Sequence, residues 1–333
     1  MTEPGDPSGG NGPRPRRMSR DELQAQLRSR RADIERQVRT TRAQIDQVNE
    51  RIEARAGRNL VMATVFGLLL GVILIASLIF VKAIFVAFCA AVVAFATFEL
   101  VRALRESGRR IDVIPAVAAG VAIIAGAYFL ESNWRWPLLA GAILFVVLWR
   151  LIAQFFEKGL RTGGNLGRDL VTAVLVQLYV PFLASFAISL VLQPEGQWWT
   201  LAFLILVVAV DIGAYASGLT LGKHPMAPKI SPKKTWEGFA GAGVAAVVTG
   251  VLLALFMLQT EWWVGVVFGL ALLGTATLGD LTESLIKRDM GIKDISSWLP
   301  GHGGFLDRID SMLPSAPVAL AVFALFSVGG ITA

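Results

Sequence analysis

The sequence predicts an all-α, polytopic membrane protein. We expect about nine transmembrane helices, a cytoplasmic N-terminus and an amphipathic cytoplasmic helix ahead of the first span. Three observations carry this. Hydrophobic residues make up 54% of the 333 residues and charged residues 17%, where a soluble domain carries about 25% charged. Apolar runs near the ~20 residues that cross a bilayer core recur along the chain. They fall at 60–81, 84–104, 112–130, 136–156, 169–192, 198–218, 238–259, 262–281 and 313–332. None alternates with strand period, so helices are expected to satisfy the backbone in lipid. The third observation is charge asymmetry. With the N-terminus inside, 13 Lys and Arg precede the first span and four fall in each of the next four inside loops, which places 29 of the 31 on one side. Such a bias sets orientation. Only Lys82 and Arg135 lie outside the tally. Tryptophans at 134, 136, 198, 199, 262 and 263 are expected at the outer interface.

In order, residues 1–18 are rich in Gly, Pro and Arg and read as a disordered tail. Residues 19–58 read as a cytoplasmic helix. Ser19 and Glu22 form a capping box, and Leu23, Leu27, Ile34, Val38, Ile45, Val48 and Ile52 recur mostly at heptad-like steps. The pattern reads as a self-association or membrane-surface helix, or blandly as a solvated cytoplasmic extension with no catalytic role; self-association would make a homodimer. Residues 59–333 form the membrane-embedded domain. No short apolar stretch with a cleavage site precedes the spans, so no signal peptide is expected. The single cysteine, Cys89, lies in an apolar run and reads as a packing residue, so cysteine metal clusters are excluded. The formal charge of +6 is explained by the inside loops, not by nucleic acid. Arginine outnumbers lysine 23 to 8 and Ala and Gly are abundant, a pattern of GC-rich bacteria, for which the host would be the plasma membrane.

Two segments, which the charge asymmetry puts on the same cytoplasmic side, carry unusual polar groups. The first, Asp211 to Gly241, places Asp211 late in an apolar span, where a carboxylate marks function by default. Lys223, Lys229, Lys233 and Lys234 follow, with Ser231 and Glu237 among them. A bland reading is a positive loop that meets headgroups. The second segment runs from Gly279 to Ser311. Asp280, Glu283, Ser284 and Lys287 are spaced i, i+3, i+4, i+7 and would share one helical face. Asp307 and Asp310 repeat the i, i+3 spacing, and with Asp280 they offer hard oxygens to Mg²⁺. The turn Pro300-Gly-His302-Gly-Gly304 can bring backbone N–H groups to a phosphate, and Lys287, Arg288, Lys293 and Arg308 add positive charge. A metal site and a basic cradle at headgroup level suit phosphoryl or nucleotidyl transfer to a lipid. No Walker A motif or GxGxxG is present.

These residues resemble the phosphatidate cytidylyltransferases (CDP-diacylglycerol synthases). The family signature stands here as Ser284, Lys287-Arg288, Lys293-Asp294, Pro300, His302-Gly303-Gly304, Asp307-Arg308 and Asp310. The run Lys229 to Gly238 and Asp211-x-Gly-Ala-Tyr are similar to that family too. The resemblance covers residues 60–333 and leaves 1–58 outside. It implies the reaction of CTP with phosphatidate to give CDP-diacylglycerol and pyrophosphate, with Mg²⁺ as one ion or two. It implies Asp280, Asp307, Asp310 and Glu283 as metal ligands. Lys229, Ser231, Lys233, Lys234, Lys287, Arg288, Lys293 and Arg308 would meet substrate phosphates. His302 would orient a phosphate or protonate pyrophosphate, and Asp211 would complete the metal shell or orient the basic loop. Three rivals remain at this point, one of them a purely structural scaffold built on the N-terminal helix. An ion-coupled transporter would use Glu99, Asp211, Asp280 and Glu283 as a pathway. A CTP-dependent lipid kinase of related architecture would release CDP.

Overall fold

The computed structural model describes residues 60–156, 165–292, 295–296 and 304–327. The expected tail, the expected amphipathic helix, Lys293 and His302 lie outside these residues. The chain divides into Met1–Val61 and Met62–Ala333, and the helical bundle belongs to the second.

The described residues form nine helical stretches, one for each apolar run of the sequence. They are α1 (Leu60–Phe80), α2 (Lys82–Glu106), α3 (Val113–Phe129), α4 (Arg135–Phe156), α5 (Leu166–Val191), α6 (Gly196–Leu221), α7 (Trp236–Leu258), α8 (Trp262–Asp289) and α9 (Leu306–Ser327). Seven of them, α2 and α4 through α9, are long and apolar enough to cross a membrane. The 17 residues of α3 span about 25 Å at 1.5 Å per residue, short of a full crossing. The all-α membrane architecture therefore holds. It carries one element that strand-period reading missed, a small antiparallel hairpin of β1 (Pro225–Ala227) and β2 (Ser231–Thr235). The Ile230 N–H donates to the Ala227 carbonyl at 3.1 Å across Pro228, whose fixed φ suits the second position of a tight turn. Pro232 cannot donate to a ladder, which a two-stranded hairpin tolerates.

Buried apolar side chains gather in two clusters. One joins α1 through α5, with Leu306 and Leu313 of α9. The other joins α6 through α9, with Trp199, Phe203, Phe268 and Phe323 at its centre. The outward faces are equally apolar, as at Phe80 and Phe156. Such exposure fits a hydrocarbon solvent. Trp134, Trp136, Trp262 and Trp263 stand exposed, as belt residues should. Trp199 does not. It is 3% exposed and packs on Phe268 and Phe323, with ring centroids at 5.9 and 5.5 Å. The expectation for Trp199 is corrected on that ground: its place on α6 turns it into the bundle.

The chain returns to one end at the close of α6, the start of α7, the close of α8 and the start of α9, and Lys234, Asp280, Glu283, Lys287, Asp307 and Asp310 lie toward that end. Lys82 and Arg135, the two cations outside the tally, lie at the other end. Lys82 Nζ donates to the Gln193 carbonyl at 3.5 Å, and the Arg135 guanidinium donates to Ser189 and lies 4.5 Å from the Phe186 ring centre.

Without a hydrophobic drive between helices in lipid, small residues set how closely they approach. At the α7–α8 crossing, a Cβ on Gly265 would lie 2.2 Å from the Gly250 carbonyl oxygen. Backbone cannot yield as a side chain can. We predict that Gly265→Val separates the two helices and lowers stability by about 1–3 kcal/mol. Thermal unfolding in detergent should show a lower midpoint.

Candidate active site

α8 continues to Asp289, beyond the expected end of the span at 281. The row Asp280, Glu283, Ser284 and Lys287 is therefore helical. Ser284 Oγ reaches Asp280 Oδ1 at 3.4 Å, so the row is in contact with itself. Glu283 points inward and is 2% exposed. Its charge is met by Lys287, one turn on, whose Nζ lies 2.6 Å from Glu283 Oε2. The same ammonium lies 3.2 Å from Asp307 Oδ1. Lys287 thus ties α8 to the first turn of α9.

Two features hold that first turn in place. Asp307 Oδ2 accepts the Gly304 N–H at 3.1 Å, three residues back. Gly279 lets the backbone of α9 approach α8: a Cβ there would lie 2.3 Å from the Asp310 carbonyl oxygen and 2.7 Å from Pro314. Asp310 is buried, and its Oδ1 accepts the Ser311 N–H at 2.8 Å.

The hairpin closes over the same place. Lys234, on β2, lies 2.6 Å from Asp280 Oδ2. Arg288 Nε donates to the Ile230 carbonyl at 3.2 Å, which fastens the end of α8 to the hairpin turn. Thr235 caps α7, accepting the Gly238 N–H at 3.1 Å. Glu237 holds the base of the loop, accepting the Lys223 and His224 N–H groups at 3.1 and 3.2 Å. Its other oxygen pairs with His224 Nδ1 at 2.5 Å. His224 is therefore a loop tie.

Asp211 of α6 comes under the charges of Asp280 and Lys234. Asp310 comes under those of Asp280 and Asp211. Five carboxylates (Asp211, Asp280, Glu283, Asp307, Asp310) thus share a neighbourhood in which two ammonium groups, Lys234 and Lys287, make the ion pairs; the formal excess is three negative charges. Glu283 Oε1 is buried with no hydrogen-bond partner. Among the described residues, no three or more His, Cys, Asp or Glu side chains are arranged to hold a metal ion. The carboxylates are together, but turned to lysines.

Of the residues named from sequence, Asp211, Lys234, Asp280, Glu283, Lys287, Asp307 and Asp310 come together. Arg288 stands at the edge, pinned to the hairpin. Lys229, Lys233 and Arg308 are exposed around it, and Ser231 opens β2 half-buried. Sequence reasoning gave one residue another role and missed a second. Glu99 of α2, named above for a transport path, is buried. Its Oε1 accepts from Ser296 Oγ at 2.5 Å and its Oε2 accepts the Leu306 N–H at 3.1 Å. One carboxylate thus ties both flanks of the segment between α8 and α9. The signal was present, a lone acid in an apolar run, but nothing local named its partner. The second, Tyr179, lies on a π-helical turn of α5, Leu178–Phe182, that contains Pro181. The proline was the only sequence mark.

Anionic oxygens at the core, cations around them and an apolar exterior describe a place where a phosphate-bearing lipid can meet a second phosphate compound. The sequence profile of the cytidylyltransferase family matches residues 61–326. A phosphatidate cytidylyltransferase of Mycobacterium bovis is 41% identical over 277 residues, which cover 82% of this chain and 90% of the relative. That of Mycobacterium leprae is 40% identical over 285 residues, 81% of this chain and 89% of the relative. That of Brucella suis is 37% identical over 206 residues, 59% of this chain and 74% of the relative.

Removing one partner from a buried ion pair strands the other, which costs about 3–5 kcal/mol. Lys287→Met should therefore destabilise the protein by about that much, because it strands both Glu283 and Asp307. Chemical unfolding in mild detergent measures this. The double variant Lys287→Met with Glu283→Gln should recover part of the loss.

Proposed function

Because the chain belongs to the cytidylyltransferase family, we propose that it is a phosphatidate cytidylyltransferase. It joins CTP and phosphatidate to give CDP-diacylglycerol and pyrophosphate, and so serves phospholipid biosynthesis in a membrane. The family match over residues 61–326 carries this reading, since the whole charge cluster falls within it. Relatives 41% identical over 82% of the chain bear that name.

The chemistry asks little of a general base. A phosphatidate phosphate oxygen is already anionic at neutral pH. It attacks the α-phosphorus of CTP in line; the new P–O bond forms as the bond to the β-phosphate oxygen breaks, and the electron pair leaves with pyrophosphate. Rate then comes from alignment and from neutralising charge. Lys229, Lys233, Arg288 and Arg308, which are exposed, would receive phosphates, with Ser231 at the start of β2. Lys293 belongs to the same basic set in the reading from sequence. Lys234 and Lys287 neutralise the carboxylates beneath.

Mg²⁺, as one ion or two, fits these residues. The donors are hard carboxylate oxygens, the cluster has excess negative charge, and Glu283 Oε1 is buried without a partner. Asp280, Asp307 and Asp310, with Glu283, would hold it. When bound there it would supply positive charge against the negative charge that develops on the phosphates. Asp211 supports this set from α6.

In this reading the N-terminus and the site end face the cytoplasm, where CTP is available, and the membrane is the plasma membrane. The 29 of 31 Lys and Arg on one side of the span count support that orientation. A homodimer through the heptads of residues 19–58 belongs to the same proposal. The transporter reading gains no support, because the acids gather at one end of the bundle and not at its midplane.

Purified protein should convert CTP and phosphatidate to pyrophosphate and a CDP-lipid in equal amounts. CDP released without a CDP-lipid would point to the kinase and sink the proposal. Chelation of Mg²⁺ should stop turnover, and added Mg²⁺ should restore it. Asp307→Asn keeps an acceptor for Gly304 but loses the charge. It should cut kcat on the order of 10³-fold while the protein stays folded. Activity like that of the wild type would remove Asp307 from the site.

A further inference from the structure

The hydroxyl of Tyr179 is a polar group at the site that the proposed reaction leaves without a role. Its hydroxyl oxygen is buried and finds no hydrogen-bond partner. The charges that act on it are those of Asp310, Glu283 and Asp280. Those three carboxylates come from α8 and α9, and Tyr179 comes from α5.

A buried phenol among carboxylates ordinarily closes onto one of them, because a bond to an ionised acceptor is short and strong. Tyr179 does not. Glu283 Oε1, on one of those carboxylates, is likewise buried without a hydrogen-bond partner. Two buried polar atoms of one charge cluster are thus left unpaired. An unpaired buried group is destabilising, and it persists where something other than stability holds it there. The backbone agrees. Tyr179 sits on a π-helical turn, where an extra residue in the turn changes which way the side chain is aimed. Such turns recur at functional sites. Pro181 adds to the local departure from regular α-helix by removing a backbone donor.

We propose that the Tyr179 hydroxyl is a catalytic group that donates a hydrogen bond to a phosphate oxygen of a substrate held between α5 and the carboxylates. The proposal rests on the cytidylyltransferase reading. The acceptor belongs to the triphosphate of CTP or to the phosphate of the lipid; either presents the same anionic oxygen. The donor stabilises charge on that oxygen as the α-phosphorus changes partners, and no proton is transferred.

Tyr179→Phe removes the oxygen and keeps the ring. A purely structural tyrosine with a satisfied hydroxyl would lose stability in this variant. Here the expected result is the opposite pairing: a thermal midpoint equal to or above that of the wild type, with kcat/KM lower by about 10–100-fold. If the acceptor is on the nucleotide, KM for CTP and the inhibition constant of pyrophosphate rise together. If it is on the lipid, KM for phosphatidate rises alone. A loss in kcat with both KM values unchanged also supports the proposal, as a contact made only in the transition state. Wild-type kcat and KM values in Tyr179→Phe overturn it. So does a fall in midpoint with full activity per folded molecule. Tyr179→Leu gives a second measurement and should be no more active than Tyr179→Phe. Failure of the wild type to make any CDP-lipid would sink the parent reading instead.

Discussion

The ammonium of Lys287 between Glu283 and Asp307 is the contact on which the site end depends. It satisfies a helical neighbour and a residue twenty positions away with one charge. Glu283 is almost wholly buried at the end of an apolar helix, where an isolated carboxylate would be very unfavourable. Once Lys287 is fixed there, the first turn of α9 has a set position. Asp307 then orients Gly304, and Asp310 falls against the backbone of α8 at Gly279. The carboxylate row is therefore an assembly of two helices, not a property of either.

Other ties work on the same junction from outside. Glu99 reaches across from α2 to Ser296 and Leu306. Arg288 and Lys234 fasten the hairpin to α8. These links run between elements far apart in sequence, and each uses a charged group at a helix end or beside one. A membrane bundle can hold such groups only when they are paired or line a polar space. The apolar faces around them are free to meet lipid, because they need nothing but hydrocarbon.

This division explains what could be read from sequence. Each apolar run became a helix, since length and composition leave a chain in lipid few choices. The Asp280–Lys287 row was legible because a helix fixes side-chain direction over one or two turns. The hairpin was not, because five residues with two lysines and a proline carry no strand period. The inward turn of Trp199 was not, because a tryptophan near a helix end looks the same whether it faces lipid or a neighbour. Glu99 and Tyr179 were not, because their meaning lies in partners 197 and more residues away in one case and in a helical irregularity in the other.

The excess of carboxylates over lysines also bears on how such a site can work. Five acids with two ammonium partners are unstable as a purely structural cluster, because replacing such groups by apolar ones would usually cost nothing or stabilise. Their presence fits the proposed function, in which Mg²⁺ would supply the missing positive charge and, while Lys287 stays as the tie between α8 and α9, a cation at the rim would be freed for a phosphate. Lys234 is the clearest instance: it pairs with Asp280 from a hairpin, and a hairpin strand can shift more readily than a packed helix. On the proposed function, the Lys234–Asp280 pair of the resting site would keep a cation close to where a substrate phosphate binds.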